Sequence, residues 1–144
     1  MTRFVLVSYL GARRARPAWW DDEAWAGAQE VNRKMARYHA AKTAADEALV
    51  RAARGGRLVA VDLRPGTLSD EPAGPVELGR TKTAAGVISR ASVAAVTDAL
   101  LAAEGVESCW LDLLDGDNEI EDAVRSVIAA KVDALEGEPV AAEE

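Results

Sequence analysis

Apolar and polar positions along the chain follow two patterns in turn, one typical of buried strands and one of amphipathic helices. A continuous apolar run at residues 4–7 predicts a strand buried on both faces, and the mainly apolar segments 57–63 and 109–114 predict two further strands. Between the first two of these segments, residues 35–54 carry apolar or small side chains at steps of three and four and contain no Gly or Pro. They predict a helix that ends at Gly55.

Capping residues predict where the other helices begin. Asp21 or Asp22 can cap a helix in the segment after the first strand, because carboxylates accept hydrogen bonds from first-turn amides. Ser89 can cap a helix over residues 90–104, which Gly105 ends. Asn118, with Glu121 three residues later, predicts a capping box for a last helix that reaches about residue 135.

The order strand, helix, strand, helix, strand, helix predicts an α/β fold with right-handed crossovers. We expect a partial Rossmann-type layer of about three mainly parallel strands with flanking helices, formed by residues 1–135. The acidic tail, residues 136–144, is rich in small residues and is predicted to be disordered. A sheet this narrow exposes unpaired edges, which makes self-association through those edges an expectation.

Two connecting segments offer candidate ligand-facing surfaces. Residues 69–86 are rich in Pro and Gly and follow a strand directly, a position typical of a binding loop or lid. The segment before the long helix contains Trp19, Trp20 and Trp25. These side chains either form an apolar wall over a ligand cleft or fasten the segment to the core.

Composition excludes several classes of protein. The 144 residues suit one domain, and no apolar run approaches the ~20 residues of a membrane span. One Cys and one His are too few for a zinc site, so no metal is expected. The lone Cys109 cannot form an internal disulfide, and the basic residues after the first apolar run do not resemble a signal-peptide cleavage site. We therefore expect a cytoplasmic protein.

The net charge of −7 conceals two halves of opposite sign. Residues 1–64 contain 12 basic and 7 acidic residues, whereas residues 65–144 contain 5 basic and 17 acidic ones. The first half suits an anionic ligand such as a nucleotide phosphate. Its basic residues form no dense cluster and the pI is about 4.8, so nucleic acid is not an expected partner.

Tyr38 and Lys42 are the first candidates for chemistry, because residues four apart share one face of a helix. A phenol with a cation nearby can exchange protons near neutral pH. The alternatives are a surface salt bridge from Lys42 to Asp46 and a half-buried Tyr38 at the core edge. Ser8 lies at the carboxyl end of the first strand, where open parallel sheets bind ligands, although it could simply end the strand.

Four segments, taken in order, carry a family resemblance. They are Phe4-Val5-Leu6-Val7-Ser8, Tyr38-x-x-x-Lys42, Leu63-Arg64-Pro65-Gly66-Thr67-Leu68 and Ile88-Ser89-Arg90-Ala91-Ser92-Val93-Ala94. Together they resemble the carboxyl-terminal half of an atypical short-chain dehydrogenase/reductase. The similarity is to the single-domain NAD(P)-binding group related to flavin reductases and epimerase-like proteins.

The resemblance implies roles for individual residues. Ser8 would hold the substrate carbonyl, Tyr38 would exchange a proton with it, and Lys42 would contact the nicotinamide ribose. The turn Arg64-Pro65-Gly66 would pass beside the nicotinamide. The implied cofactor is NADP or NAD, and the implied partners are that nucleotide and a small-molecule substrate.

One expected motif is absent from these residues. A Rossmann fold binds the dinucleotide pyrophosphate on a glycine-rich turn after its first strand, and no G-x-G-x-x-G occurs here. We therefore interpret the chain as a carboxyl-terminal half, from a truncated gene model, a late start codon or a degenerate paralogue. The expected function is that of an NAD(P)H-dependent oxidoreductase. The alternatives are a non-catalytic NADP(H)-binding regulatory module and an inactive structural remnant.

Overall fold

The computed structural model describes residues 2–143, which form six strands, four α-helices and one 3-10 turn. The strands are β1 (Thr2–Val7), β2 (Leu58–Pro65), β3 (Thr67–Ser69), β4 (Val76–Gly79), β5 (Val87–Ser89) and β6 (Cys109–Asp115). The helices are α1 (Asp22–Lys34), α2 (Ala36–Ala53), α3 (Arg90–Ala102) and α4 (Ile120–Ala129), and the 3-10 turn is Pro139–Ala142. The alternation of strands and helices that the sequence predicts is confirmed.

The main sheet has the order β1-β2-β6-β4. β1, β2 and β6 are the three predicted strands, and they run parallel, with Val5 opposite Val61 and Leu63 opposite Leu111. The α/β class with mainly parallel strands is therefore confirmed. The free side of β1 is an unpaired edge among residues 2–143, and Phe4 and Val7 are exposed on that strand.

The segment expected to be one irregular loop contains additional strands. β4 pairs antiparallel with β6 and forms the fourth strand, while β3 and β5 pair parallel as a separate two-stranded sheet. The prediction of about three strands was therefore too low. Strands this short, bounded by Pro75, Gly79 and Gly86, show no alternation long enough to detect in the sequence, and their pairing partners supply the order.

The two faces of the main sheet differ in character. Odd-numbered residues of β2 and β6, such as Val61 and Leu111, join the apolar core that α3 and α4 complete. Even-numbered residues include Asp62, Arg64 and Asp112, which are fully buried on the opposite face. Alternate residues of a strand point to opposite faces, so one sheet separates an apolar core from a layer of buried charges.

Two of the predicted helix caps are confirmed and one is wrong. Asp21 accepts a hydrogen bond from the Ala24 amide and caps α1, and Ser89 accepts one from the Ser92 amide and caps α3. The cap residue of α4 is Glu119, without a side-chain hydrogen bond, so the predicted capping box does not form. This helix also ends earlier than expected, at Ala129.

The acidic tail differs from the disorder that its composition predicts. Glu138 is buried and accepts hydrogen bonds from the backbone amides of Arg14 and Ala15, each at 2.9 Å. Val140 is buried in the 3-10 turn that follows. A carboxylate that satisfies two amides of the loop after β1 orders this segment, and composition alone does not reveal that partner.

Among residues 2–143, no helix combines the length and the apolar character that crossing a membrane requires. The same residues contain no group of three His, Cys, Asp or Glu side chains placed to hold a metal ion.

Candidate functional site

A cleft of about 660 Å³ opens where β1 and β2 end. The loop after β1 supplies Tyr9 and Gly11, the end of β2 supplies Pro65, and Gly66 follows it. The helices α1 and α2 and the segment before β5 complete the walls. The remaining lining residues are Leu10, Asp21, Glu23, Ala24, Gly27, Ala28, Val31, Asn32, Met35, Tyr38, Thr67, Lys82, Thr83, Ala84, Ala85 and Gly86. The cleft lies at the carboxyl ends of parallel strands, the edge at which open α/β sheets bind ligands.

The structure brings Tyr38 and Lys42 together beside this cleft. Tyr38 lines the cleft and is 45% exposed, and the Lys42 Nζ lies 5.6 Å from the centre of its ring. Lys42 also donates a hydrogen bond to the Val7 carbonyl at 3.2 Å, which ties α2 to the end of β1. The alternative salt bridge from Lys42 to Asp46 does not form, because Asp46 is buried against other partners.

Tyr9 forms the second half of an aromatic pair in the cleft. Its ring centre lies 5.2 Å from that of Tyr38, with the planes tilted by 31°. The Tyr9 hydroxyl donates to the Asn32 Oδ1 at 2.9 Å, and the Asn32 Nδ2 donates to the Gly11 carbonyl at 2.7 Å. Burial, with a smaller contribution from Tyr38, raises the pKa of Tyr9 to about 12. Tyr9 is therefore a neutral phenol at physiological pH.

Sequence reasoning overlooked both Tyr9 and Asn32. Tyr9 follows Ser8 at the carboxyl end of β1, the edge where open parallel sheets bind ligands, so its position is as much a signal of a site as that of Ser8. Asn32 lies within α1 and carries no motif that marks it. Only the packing of α1 against the loop after β1 brings it to the cleft.

Ser8 faces away from the cleft. It is 5% exposed, it is not among the cleft-lining residues, and its hydroxyl donates to the Asp46 Oδ2 at 3.0 Å. A serine that binds a substrate carbonyl must donate its hydroxyl hydrogen, and here Asp46 receives it. The structure therefore does not group Ser8 with Tyr38 and Lys42.

The three residues of the predicted turn Arg64-Pro65-Gly66 do not all line the cleft. Pro65 and Gly66 line the cleft, whereas the Arg64 side chain is fully buried on the charged face of the sheet. Its Nη1 contacts Asp46 at 3.1 Å and Asp62 at 3.2 Å. The Arg64 guanidinium also lies 3.8 Å from the centre of the Trp110 ring.

Burial and proximity shift the pKa values of this charged layer. Desolvation raises the pKa of Asp62 to about 8, against the opposing effect of Arg64, and a hydrogen bond with Asp46 adds to the rise. Desolvation opposes the charge on Arg64, but the three surrounding carboxylates outweigh it and raise its pKa. Burial therefore favours the neutral form of Asp62, whereas the carboxylates around Arg64 favour its charged form.

A second buried arginine, Arg13, lies among three tryptophan rings and next to Asp112 of the charged layer. The buried Arg13 guanidinium lies 5.3 to 5.7 Å from the ring centres of Trp19, Trp20 and Trp110, and its Nη2 is 3.6 Å from Asp112. Desolvation lowers the pKa of Arg13 and raises that of Asp112. Neither Trp19 nor Trp20 lines the cleft, which favours the interpretation that they fasten this segment to the core.

Lys42, Pro65 and Gly66 are among the residues that the family resemblance assigns to the nicotinamide end of a dinucleotide. Lys42 commits one ammonium hydrogen to Val7 and has two more to donate, as ribose hydroxyls require. Gly66 lines the cleft, and a Cβ built there would lie 2.5 Å from a Leu114 methyl group and 2.6 Å from the Gly86 carbonyl oxygen, so packing within the protein requires a glycine at this position. Pro65 and Gly66 line the cleft, whereas Lys42 is not a lining residue and is connected to the cleft through its contact with the Tyr38 ring.

Solved structures resemble the chain over most of its length. An oxidoreductase from Lactococcus lactis superposes with a TM-score of 0.66 at 21% identity, covering 90% of this chain and 53% of that protein. A protein from Bacillus halodurans assigned as an NAD-dependent epimerase/dehydratase gives 0.63 at 25% identity, covering 87% and 51%. ChuY, an anaerobillin reductase from Escherichia coli O157:H7, gives 0.59 at 24% identity, covering 83% and 52%.

These comparisons establish a fold and a family. The chain spans about half the length of the solved structures that it matches. Among curated protein sequences, none matches significantly. A family profile described as NAD(P)H-binding matches residues 1–104, which include β1, α1, α2, the cleft-lining residues and α3. The chain therefore belongs to the NAD(P)H-binding family.

Proposed function

We propose that this protein takes part in an NAD(P)H-dependent reduction of the short-chain dehydrogenase/reductase type and supplies the substrate side of the active site. The observation that carries the proposal is the half-exposed Tyr38 side chain on the cleft wall, with the Lys42 ammonium beside its ring, in a chain of an NAD(P)H-binding family. Reductases and epimerase-like proteins among the structural neighbours support the same class of chemistry.

Four residues in and beside the cleft have roles in this proposal. Tyr38 gives a proton to the substrate oxygen, and Lys42 favours that transfer electrostatically and binds the nicotinamide ribose. Pro65 and Gly66 form the wall on which the nicotinamide rests. The bound cofactor supplies the hydride that the substrate accepts. The pyrophosphate contact is assigned to no residue, because none of the 144 residues forms the glycine-rich turn that would make it.

Nucleotide titration tests the binding part of the proposal. We expect NADPH or NADH to quench the tryptophan fluorescence of the chain, and Lys42→Met to weaken the binding about tenfold, since it removes a charge-assisted hydrogen bond. Lys34→Met is the matched control, because Lys34 is exposed and pairs only with Glu30 among the described residues. Equal affinities of the two variants would remove Lys42 from the cofactor site.

Turnover tests the catalytic part. With small aldehydes, ketones and quinones as trial substrates, oxidation of NADPH is followed by the loss of absorbance. We expect Tyr38→Phe to reduce kcat by about 100-fold or more, because it removes the proton donor, while the nucleotide affinity stays within about twofold. Unchanged turnover in Tyr38→Phe would contradict the assignment.

The position of Ser8 favours a second candidate, a non-catalytic module that binds NADP(H) and regulates. Its hydroxyl hydrogen is committed to Asp46, so the proposed reductase site lacks the serine that would hold a substrate carbonyl. This candidate gives the opposite result in the same assays: nucleotide binding survives Tyr38→Phe, and no trial substrate oxidises bound NADPH. Binding of neither nucleotide would instead favour an inactive structural remnant.

A further inference from the structure

One wall of the cleft is an exposed apolar surface. Val31, Met35 and Tyr38 are 50%, 47% and 45% exposed, and all three line the cleft at the junction of α1 and α2. Leu10 and Ala28 extend this wall as buried residues. Large apolar side chains that face a cleft of this size gain free energy when a ligand removes them from water.

Tyr9 and Asn32 also line the cleft, and their side chains are joined by a hydrogen bond from the Tyr9 hydroxyl. The Gly11 carbonyl can only accept a hydrogen bond, so the Asn32 group that contacts it is the amide NH₂ and the other side of Asn32 is its carbonyl oxygen. That oxygen accepts the hydroxyl hydrogen of Tyr9. The Tyr9 oxygen has no further hydrogen to donate, so it can only accept a hydrogen bond from a ligand.

The charged residues around the cleft restrict the ligand further. Asp21 and Glu23 lie at the start of α1, and Lys82 lies on the opposite connecting segment. The Asp21 carboxylate is partly neutralised by the helix amide that it caps. Two carboxylates and one ammonium give this part of the rim a small net negative charge, which disfavours a substrate with an anionic group there.

We propose that this cleft binds an uncharged, largely apolar ring compound that carries an O–H or N–H group, which donates a hydrogen bond to the Tyr9 oxygen. The proposal deepens the proposed function, since the same cleft is its substrate site. The raised pKa of Tyr9 agrees with it, because a neutral phenol accepts through oxygen while its hydrogen remains with Asn32. Tyr9 is thereby a specificity-determining residue that selects substrates by their hydrogen-bond donor.

A matched pair of probes tests this proposal without nucleotide. 2-Naphthol and 2-methoxynaphthalene have the same apolar body, but only 2-naphthol has a donor hydrogen. Their fluorescence is titrated with the wild-type chain, and 2-naphthol is expected to bind about fivefold more tightly, as one neutral hydrogen bond allows. In Tyr9→Phe the two affinities become equal, while that for 2-methoxynaphthalene is unchanged.

Three further variants complete the test. Asn32→Leu releases the Tyr9 hydrogen, so 2-methoxynaphthalene gains a donor and the preference for 2-naphthol falls; this variant keeps the test decisive if Tyr9→Phe folds poorly. Met35→Glu places a charge on the apolar wall and weakens both probes about tenfold. Leu101→Glu is the matched control, because Leu101 is 46% exposed on α3 outside the cleft, and it changes neither affinity.

Several results would overturn the proposal. They are an absence of binding by both probes, equal affinities in the wild type, a preference unchanged by both Tyr9→Phe and Asn32→Leu, and a Met35→Glu variant that behaves like Leu101→Glu. These outcomes are separate from those of the nucleotide titration. If NAD(P)H does not bind while the probes behave as expected, the reductase proposal fails and the ligand class stands.

Discussion

Ser8 donates its hydroxyl hydrogen to the Asp46 Oδ2 at 3.0 Å, and this bond joins the end of β1 to the middle of α2. The same carboxylate oxygen lies 3.1 Å from the Arg64 Nη1. All three side chains are buried. Asp46 therefore organises the polar layer between α2 and the sheet, next to the strand ends that form the cleft.

Replacing Asp46 tests this role. Asp46→Ala leaves Ser8 without its acceptor and Arg64 with one fewer counter-charge, and we expect it to lower the free energy of unfolding by about 3–5 kcal/mol. Asp46→Asn keeps an acceptor for Ser8 and costs less. The neighbouring Glu47→Ala is the control, since Glu47 pairs with Arg14 near the surface and such a pair contributes at most about 1 kcal/mol. Urea denaturation of the three variants measures the difference, and similar values for Asp46→Ala and Glu47→Ala would contradict it.

The raised pKa of Asp62 predicts that the free energy of unfolding decreases as the pH rises. Its carboxyl has a pKa of about 8 in the folded protein, whereas in the unfolded chain it ionises near the usual value of about 4. Between these values the folded state binds the extra proton, so the contribution of Asp62 to stability is complete below about pH 4 and falls as the pH rises to about 8.

Asp62→Asn isolates that contribution, because an amide resembles the protonated acid and can still contact Arg64 and Asp46. We expect the variant to match the wild type at pH 4 and to exceed its free energy of unfolding by up to about 5 kcal/mol at pH 8, because each pKa unit of difference is worth about 1.4 kcal/mol. Denaturant titrations at the two pH values measure it. A difference between variant and wild type that does not change with pH would refute the prediction.

Arg64 is predicted to act on stability rather than on the cofactor. Lysine retains the charge but loses the planar contact with Trp110 and the second hydrogen-bonding arm, so Arg64→Lys should cost about 2 kcal/mol of unfolding free energy. Arg51→Lys, at an exposed ion pair with Glu143, is the control and should have almost no effect. Nucleotide affinity is measured in parallel. A loss of affinity without a loss of stability would return Arg64 to the cofactor site.

Gly66 is required by close packing at the cleft. Gly66→Ala would place a Cβ 2.5 Å from a Leu114 methyl group and 2.6 Å from the Gly86 carbonyl oxygen, which accepts the Thr67 amide where β3 meets the segment before β5. We expect a loss of about 1–3 kcal/mol in thermal or urea unfolding. Gly74→Ala is the matched control, because nothing lies within 4 Å of a Cβ there. Equal stabilities of the two variants would mean that the backbone at Gly66 can move aside.

Periodic hydrophobicity and caps predicted most of the framework. Apolar segments, the long helical periodicity of α2 and the cap of α3 are features of the local sequence. The sequence therefore predicts β1, β2, β6, α2 and α3 to within a few residues. β4 could not be predicted, because its four residues become a strand only by pairing with β6. The same limit applies to the order of residues 136–143, which depends on Glu138 reaching the amides after β1.

For the site, the sequence by itself determined that Tyr38 and Lys42 share a helical face and that Pro65 and Gly66 end a strand, since both follow from spacing along one element. Only the tertiary structure decided which of these residues meet at the cleft. The side chains of Ser8 and Arg64 point toward Asp46 on α2. This follows because side chains alternate across a strand, and the face of β2 opposite the apolar core carries the buried charges. The tertiary structure also brought Tyr9 and Asn32 together, 23 positions apart in the chain, because contacts between distant segments exist only once the helices pack on the sheet.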